Sequence, residues 1–201
     1  NDLFFFTKYL LLCKEVIRDS QKYVPEFLED IIEKNIVCLN FVKTPNNQLP
    51  LFNGSTITNL NQIEKYLENT KQKKNLNKYI GGLFKAKHKT HQVLIDIKEP
   101  PQKNLSKCYQ SGPLSFEYFL DGLKIVSNSG FGVNISKKAE TLSRLTACQS
   151  TLTLNETSVT KFEKNELINK VFGNSIQNSF KFYDFEIKNE NVLIGCSATN
   201  N

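Results

Sequence analysis

Residues 108–130 read CYQSGPLSFEYFLDGLKIVSNSG. Asp121-Gly122 stands between two apolar runs, and Asp-Gly is a favoured two-residue hairpin loop because both residues accept positive φ. With the turn there, Leu120 faces Leu123, Tyr118 faces Ile125 and Phe116 faces Ser127. Side chains alternate along a strand, so these residues share one face, which is expected to be buried. Phe119–Lys124 and Glu117–Val126 fall on the other face. The ends of the hairpin are less ordinary. Gln110, Asn128 and two glycines crowd the place where the strands finish. The stretch is either a hairpin with polar ends or one wall of an altered active site.

Upstream of residue 76 the pattern is helical. Leu3, Phe6, Leu10, Cys13 and Ile17 recur at three- and four-residue steps, the spacing of one helix face. Pro25 opens a second helix, with Phe27, Leu28, Ile31, Ile32, Val37 and Leu39 as its apolar positions. Proline in the first turn costs no hydrogen bond. TPNNQLP (44–50) is a turn cluster and LPLFNGS a short element, after which Asn59 or Asn61 caps a third helix, NQIEKYLENTKQ. Near residue 76 the period changes. YIGGLFKAKHKTHQVLIDI alternates as strands do, broken at Gly81-Gly82 and ended by Pro100-Pro101. Further strands are expected in STLTLNETS, VTKFEK, INKVFG, SFKFYDFEIK and NVLIGCS. Helices followed by strands give an α+β chain. We place the division at 1–75 and 76–201.

The composition narrows the function. The chain has 201 residues, 39% hydrophobic and 23% charged, as a globular protein has. It contains no Met and is expected to be an internal piece of a longer protein. Its net charge of +6 comes almost wholly from lysine, since Arg18 and Arg144 are the only arginines. Nucleic-acid surfaces concentrate arginine and interleave aromatics, so no nucleic-acid partner is expected. A screened attraction to polyanions, acidic polysaccharides included, suits this charge. LFFFTKYLLLC is interrupted by Lys8 and too short to span a bilayer.

Local chemistry yields no catalytic set. The five cysteines (13, 38, 108, 148, 196) form no CxxC pair and read as free thiols. His88 and His91 are three apart on one expected strand, which sends them to opposite faces and prevents joint chelation of one metal. GxSxG, P-loop and HExxH motifs are absent.

The order of the segments is more informative. Helices, LPLFNGS, HQVLIDIKEPP, SGPLSFE, IVSNSG and LTACQSTLTLNETS follow one another in a way that resembles heparinase II/III-like proteins. The resemblance covers nearly the whole chain. It implies the last helices of an α/α toroid followed by the first part of an antiparallel β-sandwich. The best-known members of that family are polysaccharide lyases, which cleave uronate-containing chains by β-elimination. It therefore implies an acidic polysaccharide as partner and a periplasmic or cell-envelope location.

The same resemblance assigns positions. The family's H-x-H-x-D-x-L-S-F entry corresponds to Cys108 through Phe116, so Cys108 stands where the catalytic His is expected and Gln110 where a zinc ligand is expected. The D-x-G motif corresponds to Asn128-Ser129-Gly130, and the A-H-N/S-T motif to Cys148-Gln149-Ser150-Thr151. All three metal positions carry neutral amides. Zinc prefers imidazole, thiolate or carboxylate, so no metal and no cofactor are expected. Gln110, Asn128 and Gln149 can instead cross-link the strands by hydrogen bonds, or contact a sugar or carboxylate. A cysteine-based metal or redox site near Cys108 and Cys148 is a third possibility. The planar fork of Arg144 suits a substrate carboxylate or a structural ion pair. Most catalytic groups are expected upstream of Asn1. The alternative is a non-catalytic glycan-binding or structural relative.

Overall fold

The computed structural model describes residues 1–69, 78–165, 167–169, 173, 175–178 and 180, and the backbone at 182–183 and 197–198. Helices α1 (Asp2–Asp19) and α2 (Glu26–Val42) pack against each other. Pro25 sits at the N-cap of α2. A single 3-10 turn (Asn61–Ile63) leads into α3 (Glu64–Asn69). Phe4, Leu11, Leu28, Ile32, Ile36 and Leu39 form one core with Leu49, Leu60, Ile63 and Leu67.

The helix periods are right, but the buried stripe of α1 is not the expected one. Phe4, Thr7 and Leu11 point inward, while Phe6 and Cys13 are exposed. α1 is apolar on most of its circumference, so periodicity alone cannot choose the face, and packing against α2 decides it. On α2, Leu28, Ile32 and Leu39 are buried as expected, and Ile36 and Phe41 join them. Phe27 is exposed.

A five-stranded antiparallel meander follows in the order β1 (Tyr79–Ile80), β2 (Leu83–His88), β3 (His91–Asp96), β4 (Phe116–Leu120), β5 (Leu123–Val126). Asp121 and Gly122 take φ +50° and +83°, as the tight β4–β5 turn demands. Leu120 pairs with Leu123 and Phe119 with Lys124, as read from the sequence. The register then shifts at Tyr118/Phe119, and Tyr118 pairs with Val126 instead of Ile125.

The buried face is also the reverse of the expected one. Phe119 is 0% exposed, whereas Leu123 and Ile125 are 68% and 56% exposed. The inward face carries Gln92, Leu94 and Asp96 from β3 with Glu117 and Phe119 from β4. Alternation fails because both faces are apolar enough to be buried. The choice falls to Phe52, which packs on Leu94 and Phe119. The charged groups on that face are partnered. Glu117 Oε1 accepts from Leu51 N (3.2 Å) and pairs with Lys124 Nζ (3.1 Å).

The histidine expectation is corrected as well. A two-residue turn at Lys89-Thr90 separates β2 from β3, so His88 and His91 lie on different strands and are direct cross-strand partners. Later segments depart further. STLTLNETS makes an isolated Leu154↔Thr157 bridge, and Phe162 of VTKFEK bridges to Ile176. In INKVFG, Ile168 and Asn169 are helical and residues 170–172 lie outside the described residues. Backbone strands β6 (Phe182–Tyr183) and β7 (Ser197–Ala198) pair antiparallel, within SFKFYDFEIK and at the end of NVLIGCS, whose other residues are mostly outside the described ones. The division expected near residue 76 also falls outside them. Helix α4 (Lys137–Leu142), capped by the Ser136 hydroxyl accepting from Ala139 N, is an additional element.

Helices and sheet interlock. Lys85 Nζ on β2 donates to Phe41 O (2.7 Å) and Lys43 O (3.1 Å) at the end of α2. Burial pushes this ammonium down to about 8, since little water remains to solvate its charge.

Candidate functional site

The 105–115 loop reaches β4 past the turn at Asn53-Gly54, and the loops at 127–131 and 143–151 close over it. Gln110 lies where these segments meet and is 1% exposed. Its Oε1 accepts from Gly54 N at 3.0 Å. Its Nε2 donates to Gly130 O at 3.0 Å and to Ser143 O at 2.8 Å. Gln149 Nε2 donates to the same Ser143 O at 2.7 Å. Asn128 Oδ1 accepts from both the backbone N and the hydroxyl of Ser150, each at 2.9 Å. Three side-chain amides therefore tie the 54, 110, 130, 143 and 150 positions together.

Cys108 is exposed beside this lattice. It packs so closely on Gly54 that a Cβ there would lie 2.7 Å from Cys108 Cβ. Gly54 also takes φ +89°, so both backbone and space require glycine. Arg144 is 0% exposed beneath the loop. Its Nε donates to Tyr109 O and a terminal N–H to Ser106 O, both at 2.9 Å. The guanidinium carbon lies 4.0 Å from the centre of the Phe162 ring. Burial lowers its proton affinity, and the neighbouring Cys108 and Glu140 offset part of that. The structure thus places Cys108 and Gln110 on one loop, with Arg144 of the 143–151 loop beneath it and Gln149 joined through Ser143 O. Asn128 braces the adjacent 150 segment.

A second polar cluster, missed from the sequence, borders the first. Asp96 Oδ2 accepts from Asn53 Nδ2 (2.5 Å) and Oδ1 from Lys98 N (3.1 Å). Burial pushes its carboxyl up to about 6 despite these hydrogen bonds. Tyr109 is buried, and its phenol is raised first by burial and then by the charge of Asp96. Asn53, Asp96 and Lys98 form the polar end of a cavity of about 260 Å³, whose apolar wall includes Leu39, Leu49 and Phe52. The available signal was a single carboxylate inside the apolar run VLIDI, next to an Asn-Gly turn elsewhere in the chain.

A zinc ion does not fit the lattice. Its three side chains are neutral amides, and the Nε2 of both Gln110 and Gln149 points hydrogen atoms at Ser143 O. The oxygen atoms of Gln110 and Asn128 are taken up by backbone and hydroxyl donors. Among the described residues, no group of three or more His, Cys, Asp or Glu side chains is placed to hold a metal. No helix among them is long and apolar enough to cross a membrane.

The crystal structure of heparan sulfate lyase HepC from Pedobacter heparinus superposes with a TM-score of 0.57 at 19% identity, over 89% of this chain and 32% of that one. The crystal structure of heparinase III gives 0.55 at 13% identity, over 82% of this chain and 33% of that one. These likenesses concern the fold, and the chain spans about a third of the length of either structure. No curated protein sequence matches the chain. The family described as "Heparinase II/III-like, C-terminal" matches residues 78–198, more than half of the chain, from the first strand of the meander through the amide lattice to β7. By that match the chain belongs to the heparinase II/III-like family and carries its C-terminal domain.

Proposed function

We propose that this chain is part of a polysaccharide lyase that acts on a uronate-containing acidic glycan by β-elimination, with most of its catalytic groups outside residues 1–201. In that reaction a base removes the proton beside the uronate carboxylate. The glycosidic C–O bond breaks as the new double bond forms, and an acid protonates the leaving oxygen. The family match over residues 78–198 carries the reading. The net charge of +6 suits an acidic polysaccharide partner. A periplasmic or cell-envelope location follows from that substrate class.

Within this reading the residues here position rather than react. Gln110, Asn128 and Gln149 cross-link the loops around 110, 130, 143 and 150, and Arg144 holds the loop that carries Cys108. Their expected contact with substrate becomes an indirect one, because their hydrogen bonds are directed at the protein's own backbone. Cys108 is exposed where the family resemblance expects a catalytic histidine, and we assign it no proton transfer.

A second reading, a glycan-binding or structural relative without chemistry, is favoured by the same amides standing where a metal-bearing site is expected. Ultraviolet absorbance of unsaturated uronate separates the two. With the longer reading frame expressed and a panel of acidic polysaccharides supplied, absorbance rises for a lyase. It stays flat for a folded, non-catalytic relative.

A further inference from the structure

The β2–β3 hairpin turns on two residues, and the side chains flanking the turn are His88 and His91, paired directly across it. Directly opposed residues of an antiparallel pair project from the same face with Cβ atoms about 5 Å apart. Both histidines are exposed. Two imidazoles so placed can close on one ion at the nitrogen–metal distance of about 2.0–2.1 Å.

His91 is oriented as well as placed. Its Nδ1 lies 2.6 Å from the Tyr118 hydroxyl, diagonal to it on β4. The two rings stack with centroids 6.0 Å apart and planes inclined by 22°. When Nδ1–H donates to the Tyr118 oxygen, the Nε2 lone pair is left free and the ring is held still. An outer hydrogen bond of this kind fixes the tautomer of metal-bound imidazoles. Gln92, Leu94 and Asp96 occupy the buried face of β3, so His91 lies on the opposite face, away from the amide lattice.

We propose that His88 and His91 form a two-imidazole site for a late first-row divalent cation, with water completing the coordination and Tyr118 orienting one ligand. Imidazole ligands and the general affinity order of these ions place Cu²⁺ first, ahead of Ni²⁺ and Zn²⁺. Lys87 and Lys89 adjoin the pair in sequence, so charge does not assist and the site rests on ligand geometry.

The test is a Cu²⁺ titration of the 1–201 chain followed by electron paramagnetic resonance. The exposed thiols of Cys13 and Cys108 are alkylated first. The expected result is one tightly held Cu²⁺ per chain with hyperfine coupling to two nitrogens. His88→Ala or His91→Ala lowers affinity at least tenfold and leaves one coupled nitrogen. Tyr118→Phe lowers affinity about tenfold while both nitrogens remain coupled. Circular dichroism of each variant matches the parent. A wild-type chain that binds no more tightly than either single variant would overturn the site. So would a His88→Ala/His91→Ala chain that keeps the two-nitrogen spectrum.

Discussion

Gln110 joins three loops through one side chain, with one acceptor and one donor group in use at Gly54, Gly130 and Ser143. Gln110→Ala removes three hydrogen bonds, two of them buried, and leaves the Gly54 N–H to find another partner, while Gly130 O keeps the Ser129 hydroxyl and Ser143 O keeps Gln149 Nε2. We expect a loss of about 3 kcal/mol in urea unfolding, since each buried group left unpaired costs about 1–3 kcal/mol. Gln110→Glu keeps the acceptor for Gly54 but turns carboxylate oxygen toward two carbonyls, so its loss is greater at neutral pH and eases as the carboxyl protonates. Asp96 gives a separate pH signature. Its carboxyl is raised from 3.8 to about 6 in the folded chain. Below the unfolded value both states are protonated, and the stabilisation from holding the proton is fully present. Between 3.8 and about 6 the folded state binds more protons than the unfolded one, so stability falls as pH rises; above about 6 the contribution is gone. The change is about 2 kcal/mol between pH 4 and 7. Asp96→Asn flattens that part of a stability–pH profile measured by urea unfolding, and a variant retaining the slope would remove Asp96 as its cause. At this scale the family resemblance, and not local chemistry, singled out Gln110, Asn128 and Gln149 as a set. It did not reveal Ser143 O, the acceptor shared by two of the amides, because a backbone carbonyl has no residue signature.

The β4–β5 hairpin separates what local chemistry decides from what packing decides. Asp121-Gly122 specifies its own turn, and the turn fixes the first two pairs. Beyond them the register shift at Tyr118/Phe119 brings Val126 opposite Tyr118, and no turn rule anticipates it. Which face is buried depends on Phe52, more than sixty residues upstream, and on whether Glu117 and Asp96 can be satisfied inside. Asp96 is, through Asn53 and Lys98 N, and Glu117 Oε1 is, through Leu51 N and Lys124, while Glu117 Oε2 stays buried without a hydrogen-bond partner. The two faces therefore respond oppositely to truncation. Phe119→Ala empties a fully buried position and is expected to cost about 3–5 kcal/mol. Ile125→Ala acts on an exposed side chain and is expected to stay within about 1 kcal/mol. Urea denaturation of the two variants checks this, and a larger loss for Ile125→Ala than for Phe119→Ala would mean that the sheet buries the other face. The β2–β3 turn has the same lesson. KTHQ reads as continuous strand because Lys and Thr are poor turn markers, yet Lys89 takes φ +51° and the chain reverses there.

Across the whole molecule, the change from helical to strand periodicity near residue 76 gives helices followed by an antiparallel sheet, and the chain folds in that order. The last third was harder to read. Its polar, Asn-rich segments alternate like strands, but the described residues of 150–180 are held by isolated bridges and side-chain contacts to backbone. The amide lattice lies where the loops after the helices and those around the sheet meet, at the Asn53-Gly54 turn, and its hydrogen bonds cross-link them. On the proposed function, neutral amides brace this part of a lyase, with no zinc in the lattice and no proton transfer at Cys108. The most direct measurement is unsaturated-uronate absorbance from the longer reading frame on acidic polysaccharides, before and after exhaustive chelation, with Cys108→Ala alongside. The expected result is a rising signal that chelation leaves unchanged and that Cys108→Ala alters by less than about twofold, far below the roughly 10²–10⁴-fold loss that removal of a general base brings. A flat signal across the panel from folded protein, or activity abolished by chelation or by Cys108→Ala, would contradict it.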